Sequence, residues 1–198
     1  MKALRSFAAI GLAAPPVWGC TYNKQAIRPA DLLQHSAGRS LVLLSTSSAA
    51  QNVLFAKAIV IFRVDKDGRR NPVITYAINS PWEQSDIPQD NTNLRWVALE
   101  PGDYGIEMGI MNPHVCFISG PEFYFRLGAS QHAYLGNFHP DAASIHVSNT
   151  LERDVAYFQA HAAGADGITF TRLPLELRSI TYGCKANGAP PVQVFMDR

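Results

Sequence analysis

Apolar and polar residues alternate with a period of two along most of this 198-residue chain, which is typical of strands with one buried face. The alternation is clearest at Tyr104, Ile106, Met108 and Ile110, where every second residue is large and apolar. It predicts strands over 41–45, 53–64, 73–79, 94–99, 104–110, 123–127, 132–138, 143–147, 168–170, 179–182 and 192–195. Short strands at near-regular spacing predict a mainly β protein, an antiparallel β-sandwich with one helix packed on it.

One segment departs from this period and is predicted to form a helix over Asn149–Ala163. Leu151, Val155 and Phe158 are spaced so that they make one apolar stripe on such a helix. The first residue of the segment is placed to cap the helix, with Glu152 in the capping-box position. We expect the stripe to pack against the sheet or its end.

Pro101-Gly102 fits the central pair of a type II turn, since proline presets φ and glycine supplies a positive φ. The apolar segments on either side predict that this turn joins two adjacent antiparallel strands. We expect Trp96 or its neighbour Val97 to be buried on the same side as Ile106.

The N-terminus has the features of an export signal. Lys2 and Arg5 precede a short apolar run that ends in Gly19, which predicts a signal peptide over residues 1–19. The run is too short to span a membrane as a helix. The segment Val17-Trp18-Gly19-Cys20 resembles the lipobox of bacterial lipoproteins. In such proteins the cysteine is acylated, and removal of the signal peptide leaves it as the first residue. The resemblance implies lipidation of Cys20 with palmitate-type chains.

The segment 20–39 is polar and mixed, and it is predicted to be a tether between the anchor and a β-sandwich domain over 40–198. Thr21, in place of aspartate, resembles the pattern of lipoproteins forwarded to the outer membrane. We therefore expect a protein lipid-anchored at the periplasmic face of the cell envelope, at the outer membrane.

The net charge bears on the kind of molecule that the protein could bind. A formal net charge of +1 gives no basic surface for nucleic acid, so we expect no nucleic-acid partner.

The cysteine count favours a disulfide within the chain. With Cys20 lipidated, Cys116 and Cys184 remain as an even pair in an oxidising compartment, which favours a disulfide. The alternative is two buried free thiols.

Four segments, in this order, resemble a family of small Gram-negative bacterial lipoproteins whose β-sandwich domain has no assigned function. They are Leu99-Glu100-Pro101-Gly102-Asp103-Tyr104, Glu122-Phe123-Tyr124-Phe125, Ala133-Tyr134-Leu135-Gly136-Asn137-Phe138 and Glu152-Arg153-Asp154-Val155. The resemblance implies an exported, lipid-anchored sandwich and carries over no catalytic residue.

Metal and cofactor motifs are weak. His132, His139 and His146 recur every seven residues, but a step of seven along a strand changes face and Pro140 interrupts the run. We therefore expect scattered histidines, and no metal site or cofactor. Asp65-Lys66-Asp67-Gly68 is interpreted as a plain turn, because the acidic ligands that would complete a calcium loop are missing.

The loop from Ser80 to Asn93 is long and polar, and long loops in compact domains are often functional. Its candidate binding residues are Trp82, Glu83, Asp86, Asp90 and Asn91. An indole beside carboxylates and amides suits contact with a sugar ring or a peptide. The alternative is that Trp82 folds back as a lid on the core.

Nothing in the sequence favours catalysis. The chain has no G-x-S-x-G elbow, and solvation at strand edges explains Glu100, Asp103 and Glu107. We expect a non-catalytic envelope lipoprotein with a binding or structural role, in contact with the membrane through its anchor and with an envelope protein or glycan. The alternatives are a periplasmic carbohydrate or peptidoglycan-fragment binding protein and a hydrolase.

Overall fold

A computed structural model describes residues 39–47, 56–78, 84–112, 116–140, 144–162, 164–180 and 193–197. The strands are β1 (Ser40–Ser47), β2 (Ala56–Val64), β3 (Arg70–Ile78), β4 (Thr92–Leu99), β5 (Gly102–Asn112), β6 (Cys116–Leu127), β7 (Ala133–Pro140), β8 (Ser144–Ser148), β9 (Thr171–Arg172), β10 (Glu176–Ile180) and β11 (Gln193–Met196). The α-helix of the described residues, α1, is Leu151–His161, and a 3₁₀ turn lies at Pro88–Asp90.

The strands form two sheets, which confirms the predicted β-sandwich. A six-stranded sheet has the order β11-β8-β7-β1-β4, with β9 beside β7, and a five-stranded sheet has the order β10-β6-β5-β2-β3. The five-stranded sheet is antiparallel throughout. The six-stranded sheet is mixed, because β7 runs parallel to β1 and β9, and β11 runs parallel to β8. Period-two alternation predicts strands but not these pairings, which join segments far apart in the chain.

The core lies between the sheets and is filled by the inward residue of each alternating pair. Ile59 and Ile61 of β2 meet Ile106 of β5 in this core, and all three are fully buried. Val97 of β4 packs against the same cluster, whereas Trp96 points to the opposite face of its sheet. The prediction that one of these two neighbours shares the side of Ile106 is therefore confirmed for Val97.

Pro101-Gly102 does not join paired neighbours, so that prediction is wrong. β4 pairs with β1 in the six-stranded sheet, while β5 pairs with β2 and β6 in the five-stranded sheet. The turn instead carries the chain from one sheet to the other. The Tyr104 hydroxyl donates to the carbonyl oxygen of Glu100 at 2.8 Å, which fastens this corner. A Pro-Gly pair specifies local dihedral angles and leaves the partner of the next strand open.

Helix α1 covers part of the outer face of the six-stranded sheet, and its predicted apolar stripe is confirmed. Phe158 is fully buried in one cluster with Leu43, Trp96 and Tyr134 of the strands beneath it. Leu151 packs at the edge of this cluster together with Val155 of the same helix. As a result β1 is buried on both faces, and all eight of its residues are buried.

The start of α1 differs from the predicted capping box. Thr150, rather than Asn149, is the N-cap residue, and Asn149 accepts the Leu151 backbone N–H with its side-chain oxygen at 3.3 Å. The helix begins one residue later than the capping box requires, so Glu152 cannot close it. The Thr150 hydroxyl instead donates to the carboxylate of Asp154 at 2.9 Å.

Asp154 is a buried carboxylate that ties α1 to two strands. Its Oδ2 atom accepts hydrogen bonds from Ser45 Oγ of β1 at 2.5 Å and from the Tyr134 hydroxyl of β7 at 2.6 Å. Its Oδ1 atom accepts from the Arg153 guanidinium at 2.8–2.9 Å. Both oxygens are thus satisfied and the charge is paired, which is the condition for burying a carboxylate. Burial and the nearby charge of Asp154 raise the pKa of Tyr134.

Replacing Asp154 by Asn should destabilise the domain strongly. An amide nitrogen would face the hydroxyl and guanidinium donors that the carboxylate now accepts, and breaking such a buried set costs about 3–5 kcal/mol. In a domain of this size that is a fall of roughly 10 °C in melting temperature. Thermal unfolding followed by circular dichroism measures the change.

The matched control is Glu152→Gln, which alters an exposed carboxylate on the same helix. For this variant we expect the free energy of unfolding to change by no more than about 0.5 kcal/mol. Equal melting temperatures for the two variants would contradict the role assigned to Asp154.

Candidate functional site

The described part of the predicted binding loop is tied to the rest of the domain. The Asp86 carboxylate accepts the Leu94 backbone N–H at 2.9 Å, and the Asp86 N–H donates to the Asn93 side chain at 3.3 Å. Asn91 has a left-handed conformation, with φ of 49°, and ends the 3₁₀ turn. Ile87 lies in the apolar cluster beneath α1.

Asp90, in the same loop, forms an ion pair with Arg153 of α1. The structure therefore brings Asp86, Asp90 and Asn91 together, and it engages all three in the conformation of the loop. Trp82 and Glu83 lie outside the described residues, so a binding role for this loop remains a prediction.

The remaining predicted sites also lie largely outside the described residues. Cys20, the signal peptide and most of the tether fall within residues 1–38, and Cys184 lies between β10 and β11. Cys116 is the first residue of β6, and only its backbone is described. Lipidation and the Cys116–Cys184 disulfide therefore remain predictions.

A groove of about 640 Å³ opens beside β10, the edge strand of the five-stranded sheet. It is lined by Val64, Asp103, Tyr104, Tyr124, Phe125, Arg126, Pro174, Leu175, Glu176 and Arg178. Six of these ten residues are apolar or aromatic, and the other four are charged. Ligand sites typically combine an apolar lining with a few polar groups, and this groove has both.

Two arginine–carboxylate pairs border the groove. Arg126 contacts both oxygens of Asp103, at 2.7 and 3.3 Å, and Arg178 contacts Glu176 at 2.9 Å. These hydrogen bonds hold the pKa values of the Asp103 and Glu176 carboxyls below their usual range. All four side chains are more than half exposed, so the pairs contribute little to stability and can exchange partners with a ligand.

Next to the groove, Glu122 is buried on the outer face of the five-stranded sheet. Its side chain is 2 % exposed and accepts two hydrogen bonds from the Arg70 guanidinium, at 2.6 and 2.8 Å. The Tyr124 hydroxyl donates to the same carboxylate at 3.0 Å. Burial, followed by this hydrogen bond, raises the pKa of Tyr124.

Aromatic rings and guanidinium groups cover this part of the sheet. Phe62 meets Tyr124 edge to face at 5.8 Å, and the guanidiniums of Arg70 and Arg178 lie over Phe62 and Tyr124 at 5.2 and 4.5 Å. A β-carbon on Gly105 would overlap the Phe62 ring, so only glycine admits this ring so close to the sheet. The surface beside the groove is therefore closely packed.

Sequence reasoning missed this region. Glu122, Tyr124 and Arg126 occupy the outward positions of β6, where polar residues normally indicate contact with solvent. The usable signal is the large aromatic side chain of Tyr124 between two charged residues on an outward face. The partners of Glu122 lie in other strands and cannot be found from spacing along the chain.

Neither the models of known protein families nor the curated proteins gave a match to this chain. The resemblance to small Gram-negative lipoproteins therefore remains a prediction from its motifs. Within the described ranges, no helix has the length and apolar character needed to cross a bilayer.

Replacing Glu122 by Gln should lower the free energy of unfolding by about 2–3 kcal/mol, because the neutral amide would replace a buried carboxylate that accepts two charge-assisted hydrogen bonds from Arg70. Urea denaturation measures the loss. The matched control is Glu107→Gln. Glu107 lies opposite Glu122 on β5, and its carboxylate is 4.0 Å from the Arg70 guanidinium. For Glu107→Gln we expect the free energy of unfolding to fall by less than about 1 kcal/mol. Similar losses in both variants would show that the paired geometry of Glu122 has no special role.

Proposed function

We propose that this protein is a non-catalytic lipoprotein of the cell envelope. Lipid at Cys20 anchors it at the periplasmic face of the outer membrane, and its β-sandwich binds another component of the envelope. The N-terminal sequence supplies the argument for the anchor. The described domain supports a binding role through the groove beside β10.

The described fold is compatible with a tether that ends where β1 begins. The Ser40 hydroxyl donates to the carbonyl oxygen of Gly128 at 2.8 Å and accepts the Gln131 backbone N–H at 2.9 Å. These contacts fasten the first residue of β1 to the turn between β6 and β7. Residues 20–39, if extended, reach roughly 65–70 Å. Such a tether would let the domain contact targets well away from the membrane surface.

The contacts of the two buried carboxylates remove both from the candidates for a general acid or base. Asp154 and Glu122 are the buried acidic side chains of the described residues, and each is surrounded by hydrogen-bond donors. A general acid or base must exchange its proton with a substrate within hydrogen-bond reach. Both carboxylates are instead committed to contacts within the fold.

The anchor is tested with Cys20→Ala in the full-length chain. We expect wild-type protein to fractionate with membranes and the variant to be released to the soluble periplasm or to remain an uncleaved precursor, because the diacylglyceryl group is attached to this thiol. Thr21→Ala is the matched control and should remain membrane-bound. Wild-type protein that is soluble and carries a free Cys20 thiol would overturn the proposal.

A second candidate function is binding of carbohydrate or peptidoglycan fragments, and the groove favours it. Tyr124 lines the groove beneath the Arg178 guanidinium, and Arg126 and Arg178 offer guanidiniums beside two carboxylates. Aromatic rings with nearby polar groups suit the apolar faces and hydroxyls of sugars, and guanidinium groups suit the carboxylates of peptidoglycan peptides.

This second function predicts that soluble peptidoglycan fragments bind the wild-type protein in calorimetric titrations. If the groove is the site, Arg178→Ala should weaken binding about tenfold or more and leave the melting temperature within 2–3 °C, because its ion pair is exposed. If the loop from Ser80 to Asn93 is the site, Trp82→Ala should weaken binding instead and leave the melting temperature nearly unchanged. Arg69→Ala, an exposed arginine in the turn before β3, is the control. Absence of binding to the wild type would exclude this function.

A further inference from the structure

The edge strand β10 has an open side. Within the described residues it pairs with β6 alone, and it stands at the end of the strand order of the five-stranded sheet. Its residues 176–178 are exposed. The backbone N–H and C=O groups along the open side of an edge strand can pair with a further strand, so another chain can extend the sheet at such a place.

Two opposite charges flank an apolar residue on β10. Glu176 and Arg178 lie on either side of Leu177, whose side chain is 37 % exposed. Both charged side chains lie on the outer face of the sheet, because they contact each other at 2.9 Å and Arg178 lies over the outward ring of Tyr124. Leu177 lies opposite Phe123, which is buried in the core, so it points to the inner face.

This order of side chains is complementary to itself. If two β10 strands pair antiparallel with Leu177 opposite Leu177 of the second copy, Glu176 of each copy lies opposite Arg178 of the other. Opposite charges across a strand pair are favourable, and like charges are unfavourable. A contact in which two residues meet each other in both directions is that of a two-fold symmetric dimer. One antiparallel register therefore satisfies both charge and symmetry.

Charged residues and bulges usually protect an edge strand from pairing. The register shift between Leu177 and Ser179 leaves Arg178 as an extra residue of β10, while Glu176 and Leu177 keep a regular register with β6. Parallel pairing of two β10 strands in register would place like charges together, whereas antiparallel pairing places opposite charges together. The charges of β10 therefore select one orientation of a second copy.

The ion pair within β10 is open to exchange. The side chains of Arg178 and Glu176 are 55 and 65 % exposed, so their pair contributes little to stability. Two pairs between the strands of a dimer would replace two pairs within them. Because both side chains also border the groove, dimer formation and ligand binding would compete for them.

The edge strand β3, at the other end of the same sheet, lacks this order. Its exposed apolar residue, Val73, lies between Pro72 and Ile74, so no charges flank it. Pro72 also has no backbone N–H to donate to a further strand. An exposed apolar side chain on an edge strand is thus not sufficient for the pairing expected at β10.

At the edge strand β11 of the other sheet, the exposed Phe195 ring already stacks on His146, with ring centroids 4.7 Å apart. His146 of β8 and His139 of β7 are direct partners in the antiparallel register, which corrects the expectation that the evenly spaced histidines are scattered. His132 lies elsewhere, against Phe170. The apolar surface of β11 is therefore partly covered from within its own sheet.

We propose that the open edge of β10 is an interface between two copies of this chain, which pair antiparallel about Leu177 and join their five-stranded sheets into one. A strand of five residues buries less area than a standard interface, so the dimer is weak, with a dissociation constant above about 1 µM. The pairing does not require the lipid anchor, although anchoring at one membrane surface would raise the local concentration of copies.

The register is tested by disulfide trapping of Leu177→Cys in intact cells that express the full-length chain. Cysteines that face each other in an antiparallel pair lie within the distance that a disulfide spans. We expect mild oxidation to give a product of twice the monomer mass on a non-reducing gel. Val73→Cys, on the edge strand β3, is the matched control, and wild-type protein gives the background from the native cysteines. A Leu177→Cys product no stronger than these controls, or one whose mass shows a different protein partner, would overturn the proposal.

Charge reversal tests the same pairing without a disulfide. Sedimentation equilibrium of the purified full-length protein in density-matched detergent measures the dissociation constant of the dimer. Glu176→Arg or Arg178→Glu alone places like charges opposite each other and should weaken the dimer by about tenfold or more. The double variant exchanges the two charges and should restore the affinity to within about threefold of wild type. Because both residues are exposed, we expect all three variants to melt at the wild-type temperature.

The double variant separates pairing between copies from a general effect of altered charge. A wild-type protein that stays monomeric at all concentrations, or a double variant as weak as the single ones, would contradict the proposed pairing. Restored affinity in the double variant would support it, because neither reversed charge alone can form the pair.

Discussion

The carboxylate of Asp154 is the contact on which the six-stranded sheet and its helix depend. An isolated eleven-residue helix is marginal in water, so α1 must gain its stability from docking. Asp154 accepts hydrogen bonds from the hydroxyl groups of Ser45 and Tyr134, which lie on the parallel neighbours β1 and β7. Through Arg153 it also reaches Asp90 in the loop before β4. One side chain thus joins a helix, two strands and a loop whose segments are distant in the chain.

The sequence contains a signal for this contact that periodicity alone does not interpret. Asp154 lies three residues after Leu151 and four before Phe158, which places it on the buried stripe of α1. A buried charge on such a stripe is costly unless the surface beneath the helix supplies hydrogen-bond or ion-pair partners for it. The strands and the helix were predictable because alternation follows directly from one-sided burial. The partners of Asp154, and the sheet that follows Pro101-Gly102, were not, because both depend on contacts between distant segments.

The motif Ala133-Tyr134-Leu135-Gly136-Asn137-Phe138 has a structural explanation at each polar or special position. Tyr134 donates to Asp154, and Asn137 accepts from Ser47. Gly136 has a φ of 118°, and a β-carbon there would lie 2.9 Å from Val147. It coincides with the register shift in the β1–β7 pairing. A family that shares this motif would therefore share the geometry of β7, and the motif itself says little about a ligand.

The two outer faces of the sandwich differ in what they leave open, and this difference limits where function can lie within the described residues. On the six-stranded sheet, α1 covers the side of β1 and β4, while β8 and β11 keep His146 and Phe195 in contact with solvent. On the five-stranded sheet, Arg70 and Tyr124 cover Phe62 and Glu122, and the groove begins where this cover ends. At these open regions His146 stacks on Phe195, and Arg178 lies over the Tyr124 ring. A ligand that meets such a surface orders few groups on binding, so even a few contacts can produce measurable affinity.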